Sequence, residues 1–271
     1  MQGLGRLRRF HVVVAGVLAI GGAATVAVEW THARNARGEH RGYLGPRTAQ
    51  LAARVPPPSN EPAVLDADRR AFVATRALQG SWRWEQAARD ADQSADALLD
   101  TFSCAAGVEL TPDRAPHLAA LLADAGADSA HVASRAKNVF LRPRPYTLYA
   151  GPTCVSPDNL GANHDYPSGH AARAWTWGFI LAELLPERRA QLLSRAQAYG
   201  ESRVVCGFHS PTGVSAGRGV AVITVRSLMA DARFQADLRA ASKELAALRQ
   251  HGQSPPARQC RSEAALAGRP Y

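Results

Sequence analysis

Three short segments constrain this chain more than anything else in it: Lys137-x6-Arg144-Pro145, Pro167-Ser168-Gly169-His170 and Ser202-Arg203-x5-His209. Each adjoins a run with apolar residues at helical spacing, so a fold that uses all three must bring them together from separate helices. Lys137 and Arg144 are seven residues apart, nearly two turns, and so point to one side of a helix that Pro143 and Pro145 end. Arg presents a planar fork to oxyanions, and Lys a compact charge. The Pro167–His170 segment precedes a helical run, where the free amides of a first turn and the Ser168 hydroxyl can meet an anion. Gly169 permits close backbone approach, and His170 brings an imidazole able to give up a proton near neutral pH. Taken singly, each piece has an ordinary structural explanation: a solvated helix face, a serine N-cap beside a partly buried histidine, a loop histidine. Arg142 is assigned to that solvated face. In order along one chain, the three describe a phosphate site.

The rest of the pattern is helical. Residues 63–91 and 115–141 are rich in Ala, Leu and Arg with apolar residues at helical spacing, and Thr111-Pro112-Asp113 is a start signal for the second. Residues 170–185 and 186–205 read as two more helices, divided by a proline suited to a first turn. The β-branched run 220–225 has strand propensity, but its Ala-rich neighbours favour a buried helix. Residues 236–250 read as a final amphipathic helix. There is no internal repeat, sustained heptad, Gly-rich nucleotide loop or H-E-x-x-H zinc motif. The expected architecture is an all-α bundle. It divides into a leader at 1–28, a polar, Pro-rich connecting segment at 29–60 without a regular core element, a helical domain at 61–250 and a tail at 251–271.

In the leader, Arg6, Arg8 and Arg9 precede an uncharged, mostly apolar run at 12–28. This is the layout of a secretory signal peptide or of an uncleaved N-terminal membrane anchor. Either places the remainder outside the cytoplasm, periplasmic or secreted. No second such run occurs, which excludes a polytopic membrane enzyme. Setting the leader aside removes three arginines and no acid, and the formal charge falls from +9 to +6. The arginines are spread rather than clustered with aromatics, which argues against a nucleic-acid partner and for an anionic substrate. Cys104, Cys154, Cys206 and Cys260 form no C-x-x-C pair, so two disulfides are expected rather than a zinc or redox site.

The three segments resemble the signature of the type 2 phosphatidic acid phosphatase superfamily: Lys-x6-Arg-Pro, Pro-Ser-Gly-His, then Ser-Arg-x5-His-x3-Asp. Every position matches except the last, where this chain has Gly213. Within the superfamily, residues 165–170 and 202–209 look like those of the bacterial class A nonspecific acid phosphatases, as do Pro56-Pro57-Pro58 and Gly151-Pro152-Thr153-Cys154. The resemblance implies an all-α helical bundle of the type 2 phosphatidic acid phosphatase/haloperoxidase type. It also implies a metal-independent enzyme without cofactor that hydrolyses many phosphomonoesters at acid pH, its partners being those esters and inorganic phosphate. An oligomer is compatible with it. Carried over by position, Lys137, Arg144, Ser168, Gly169 and Arg203 hold the phosphate, His209 forms a phosphohistidine, and His170 protonates the leaving alcohol and then activates water. Related haloperoxidases bind vanadate in the same cradle, so fold and anion site alone do not name the reaction. All three cysteine pairings are open. The preferred one joins Cys154 to Cys206, which flank signature segments that must converge, and leaves Cys104 with Cys260.

Gly213 bears directly on the reaction. A histidine attacks well only when its attacking nitrogen is unprotonated, and a carboxylate on the other nitrogen normally fixes that tautomer. Gly213 cannot do this, and the following residues 214–217 contain no acid. In a catalytic triad, losing the orienting carboxylate costs up to ~10⁴ in rate. A backbone carbonyl or Ser215 is left to accept the hydrogen bond, with Asp165 ranked behind them. Two functions follow: a broad-specificity acid phosphatase weakened by Gly213, or a noncatalytic relative that binds phosphate or a phosphorylated ligand.

Overall fold

A computed structural model of the chain describes residues 42–158 and 164–266, and the leader and the first part of the connecting segment lie outside them. Among the described residues there are helices and no strands. In order they are α1 (Arg47–Ala52), α2 (Pro62–Thr75), α3 (Trp82–Arg89), α4 (Ala95–Ala106), α5 (Pro116–Phe140) and α6 (Pro145–Leu148), then α7 (Gly169–Leu184), α8 (Arg189–Val205), α9 (Pro211–Met229), α10 (Ala232–His251) and α11 (Ala257–Ala264). None of these is long and apolar enough to cross a membrane.

The bundle is built around α7, which packs against α5, α8 and α9. Its buried residues run from Ala171 to Ala182 on nearly every side of the helix, as an interior helix requires. Trp177 is 2 % exposed and packs near Phe102 of α4, so truncating it to alanine would cost about 3–5 kcal/mol. Local chemistry sets where the helices begin and stop. Ser168 caps α7 by accepting from the Ala171 N–H at 3.3 Å. Ser210 caps α9 by accepting from the Gly213 N–H at 3.0 Å, with Pro211 in the first turn. α5 starts on Pro116 and stops at Leu141, whose φ of 51° turns the chain ahead of Pro143. The run 220–225 lies inside α9, with Val220, Ala221 and Thr224 buried. Its neighbours overrode its strand propensity.

Four expectations change. The connecting segment does hold core structure: Tyr43 and Leu44 are buried, and α1 follows them with Thr48 and Leu51 inside. Asp128 of α5 draws this segment in by accepting from the amides of Tyr43 at 2.8 Å and Leu44 at 3.1 Å, and Asp237 takes the Tyr43 hydroxyl at 2.9 Å. Such an anchor has no local periodicity to betray it. Residues 63–91 are two helices, not one, because Gly80 at φ 78° breaks the run and Ser81 caps α3. Thr111-Pro112-Asp113 makes a separate turn, closed by the Ala115 N–H on the Thr111 carbonyl at 2.9 Å, before Pro116 begins α5. The tail contains α11, tied to α4 through Cys104–Cys260. The second disulfide is Cys154–Cys206, so the preferred pairing is the one present. It fastens the loop after α6 to the end of α8.

Candidate active site

Lys137 lies in the last turn of α5, 7 % exposed. Arg144 is not on that helix: α5 has stopped, and Arg144 sits in extended conformation just ahead of α6. A bend at Leu141, rather than two turns of one helix, delivers both cations to one place. His209 follows α8 and precedes α9, so the ends of four helices meet around it: the C-termini of α5 and α8 and the N-termini of α7 and α9. Close packing makes this convergence tight. The Ser168 N–H donates to the Gly213 carbonyl at 2.8 Å, and a Cβ on Gly217 would lie 2.5 Å from the Ser168 carbonyl oxygen.

His209 is 1 % exposed and both ring nitrogens have partners. Nδ1 is 2.6 Å from the Asp165 carbonyl and 3.2 Å from Asp165 Oδ1. Nε2 lies 3.1 Å from Nη1 of Arg144, which also donates to the Phe208 carbonyl at 2.9 Å. A guanidinium only donates, so Nε2 is the acceptor and Nδ1 carries the proton. Burial, then Arg144, Lys137 and Arg203, hold the imidazole well below its ordinary pKa. The result is a neutral histidine with a lone pair on Nε2, amid three cations.

Those cations are themselves perturbed. Burial, then Arg144, brings Lys137 down to about 7, and burial lowers Arg203 to about 10. Arg203 is 2 % exposed, and its Nε and Nη1 have no hydrogen-bond partner among the described residues. Buried guanidinium nitrogens in that condition call for an oxyanion. Ser168 is fully buried and serves as helix cap. A Cβ on Gly169 would meet only Ala133, at 4.0 Å, so the protein itself does not demand glycine there. His170, partly buried in the first turn of α7, has Nε2 3.4 Å from the Ala91 carbonyl. Burial, then Arg203 and His209, also depress its pKa strongly. Among the described residues no group of three His, Cys, Asp or Glu side chains gathers that would hold a metal ion.

Several residues have roles in the structure that differ from those expected of them. The expected backbone carbonyl does meet Nδ1 of His209, and it is that of Asp165, whose carboxylate, placed behind the other candidates, stands beside it, while Ser215 is exposed. The signal was available: a histidine deprived of its acid at 213 asks for an acid elsewhere, and Asp165 adjoins the second segment. Asp165 is held in turn by Ser210, whose N–H reaches Oδ1 at 2.8 Å and whose hydroxyl reaches Oδ2 at 2.6 Å. Arg142 is no solvated side chain. It pairs with Asp68 at 2.6 Å, lies 3.4 Å from Asp165 Oδ2 and donates to Thr212 at 2.7 Å. Nothing in the local pattern announced it, because Asp68 is far away in sequence. Ser202 of the third segment does not face the cradle either. Its hydroxyl donates to Asp90 at 2.6 Å, beside the buried Asp90–Arg195 ion pair at 2.6 Å.

The chain matches known proteins over these same regions. The PAP2 superfamily model matches residues 116–235, which span all three segments. An acid phosphatase from Zymomonas mobilis is 38% identical over 77% of this chain and 80% of its own. A non-specific acid phosphatase from Providencia stuartii is 37% identical over 73% of this chain and 82% of its own. One from Salmonella typhimurium is 35% identical over 70% and 77%. With identity of this level covering most of both chains and the helical architecture in place, this protein belongs to the PAP2 superfamily and, within it, to the bacterial non-specific acid phosphatases.

Proposed function

We propose that this protein is an acid phosphatase that hydrolyses phosphomonoesters through a covalent phosphohistidine on His209, in the periplasm or outside the cell. The observation that carries the reading is the neutral, buried His209 with its Nε2 lone pair set among Lys137, Arg144 and Arg203. In this reading the three cations, the Ser168 hydroxyl and the amides of the first turn of α7 bind the phosphoryl oxygens. Gly169 leaves room for them. Nε2 of His209 attacks phosphorus and the P–O ester bond breaks, its electrons going to the alkoxide, which takes a proton from His170. Water then attacks the phosphohistidine, gives its proton to His170, and the P–N bond breaks to release phosphate and neutral His209. Cations fixed around the oxygens stabilise the charge of each transition state.

An acid optimum follows from the same electrostatics. His170 must be protonated for the first step, yet the cations and burial oppose its proton; a bound phosphate opposes that effect, and low pH supplies the proton. The extracytoplasmic location is supported by the pattern at 1–28 and by two disulfides. The noncatalytic alternative rested on Gly213, and Asp165 beside Nδ1 of His209 supports the catalytic reading by offering a carboxyl group from another position. The test is hydrolysis of p-nitrophenyl phosphate from acid to neutral pH in EDTA, with wild type and His209→Ala. Turnover in the wild type, a burst of nitrophenol and abolition in the variant are expected. A wild-type protein without turnover, or a His209→Ala variant that retains it, overturns the proposal.

A further inference from the structure

Gly213 is buried in the first turn of α9. A Cβ built on it would lie 2.8 Å from Asp165 Oδ1, 3.1 Å from the Asp165 carbonyl oxygen and 3.2 Å from Ser210 Oγ. The first of these is closer than real Cβ contacts come, and the oxygen it meets is not the loose end of a flexible side chain. Asp165 is 1 % exposed, its Oδ1 takes the Ser210 N–H, its Oδ2 takes the Ser210 hydroxyl, and Arg142 flanks it. Nor can α9 retreat at little cost. Its first turn is bonded to Ser168 through the Gly213 carbonyl, and its next turn, at Gly217, is already pressed on Ser168. The space into which a side chain at 213 would project is thus filled by the carboxyl of residue 165, which at the same time stands 3.2 Å from Nδ1 of His209.

We infer that Asp165 is the positioning residue of His209, and that it and Gly213 are a reciprocal pair: a carboxylate reaches Nδ1 from the turn before α7 or from the first turn of α9, but not from both. The inference rests on the phosphatase reading for its kinetic consequences and on geometry alone for the rest. Asp165 acts twice. Its carbonyl, at 2.6 Å, fixes the Nδ1–H tautomer, and its carboxylate lends negative charge when the ring becomes cationic on phosphorylation. Gly213 is therefore no defect of the third segment but the condition for Asp165 to work. The surprising consequence concerns the change that would complete the signature. Gly213→Asp alone should harm the enzyme, because two buried carboxyl groups would then compete for one place and repel each other.

The experiment compares Asp165→Asn, Gly213→Asp and the double variant Asp165→Ala/Gly213→Asp on p-nitrophenyl phosphate, with kcat, KM and the pH profile of kcat/KM. Asp165→Asn should lower kcat by about 10²-fold with KM little changed, less than the ~10⁴ lost in a triad because the carbonyl still holds the tautomer. Gly213→Asp should fall below wild type, and the double variant should recover about tenfold or more over either parent. A double variant no better than its parents, an Asp165→Asn kcat within about threefold of wild type, or a Gly213→Asp enzyme more active than wild type, overturns the inference. A second measurement needs neither turnover nor a folded variant: the ¹⁵N shifts of His209 in the wild-type protein. A neutral ring with Nδ1 protonated is expected, and a proton on Nε2 overturns the assignment. If the wild type shows the Nδ1–H ring but no turnover, the phosphatase reading falls and the positioning role stands. If it turns over and Asp165→Asn does so equally, the reverse holds.

Discussion

Helix α8 carries two buried arginines about two turns apart, Arg195 at 5 % exposure and Arg203 at 2 %, and they differ in what their nitrogens bond to. Arg195 is neutralised by Asp90 at 2.6 Å and donates to the Thr101 carbonyl at 3.1 Å, and Gln86 and Ser202 complete the bonding of the Asp90 carboxylate. Arg203 feels the like charges of Lys137 and Arg144 as well as the more favourable Asp90, lies 5.2 Å over the Phe208 ring, and has two nitrogens without a hydrogen-bond partner among the described residues. Burial of charge is the same in both; compensation is not. A buried cation bonded to a carboxylate holds helices together, whereas one with unbonded donors beside other cations leaves hydrogen-bonding capacity for an anion. Their pKa values tell the same story, raised for Arg195 against its desolvation by Asp90 and lowered for Arg203 by burial.

The sharpest way to break this comparison is to remove each side in turn. Arg203→Ala should cost about 10³-fold in kcat/KM while leaving the thermal midpoint in phosphate-free buffer no lower than wild type, since it removes a cation whose Nε and Nη1 are bonded to nothing among the described residues. Asp90→Ala should do the opposite, costing about 3–5 kcal/mol in denaturant unfolding by stranding Arg195. If Arg203→Ala destabilises as much as Asp90→Ala, the distinction is wrong.

Anions should sharpen it further. Inorganic phosphate at a hundred times its dissociation constant should stabilise the wild type by about 2.7 kcal/mol in thermal unfolding, Asp90→Ala similarly, and Arg203→Ala far less. Sulfate, which does not itself titrate near neutrality, isolates the part due to Lys137. With its pKa in the free protein drawn down to about 7, Lys137 is neutral above that pH and must take up a proton as the anion binds. Sulfate affinity should therefore fall as pH rises through that value, by up to about tenfold per unit, and a flat profile would remove Lys137 from the cradle. The smallest effect concerns the empty-handed fold. Both histidines have pKa values depressed by burial and the cations, so each contributes stability that is complete above its unfolded value near ~6.5. That stability is lost as pH falls, at up to about 1.4 kcal/mol per unit for each, and bound phosphate should flatten the slope.

Much of the site was legible because it lies at helix ends, and helix ends write themselves in local residues. Ser168 is the N-cap of α7, and Pro143 follows the stop of α5. The anchor of Tyr43 and Leu44 on Asp128, the pairing of Arg142 with Asp68 and the α11 helix in the tail were not legible. Each depends on a partner tens of residues away, and neither hydrophobic period nor capping chemistry encodes such a partner. Arg144 shows a middle case. Its presence beside Lys137 was expected from spacing, but the route was a left-handed residue at Leu141 rather than a continuous helix.

By itself, then, the order of residues determined the helical class, the identity of the cations and histidines, and the fact that position 213 offers no acid. It did so because helix phase, caps and motif spacing are properties of neighbours along the chain. Only the tertiary structure decided that Arg195 pairs with Asp90 while Nε and Nη1 of Arg203 stay unbonded among the described residues, and that the carboxylate beside Nδ1 of His209 is that of Asp165. Those outcomes depend on how closely α9 can approach the turn before α7, a matter of packing between elements: Asp165 and His209 are 44 residues apart in the chain, yet 2.6 Å apart at their hydrogen-bonding atoms.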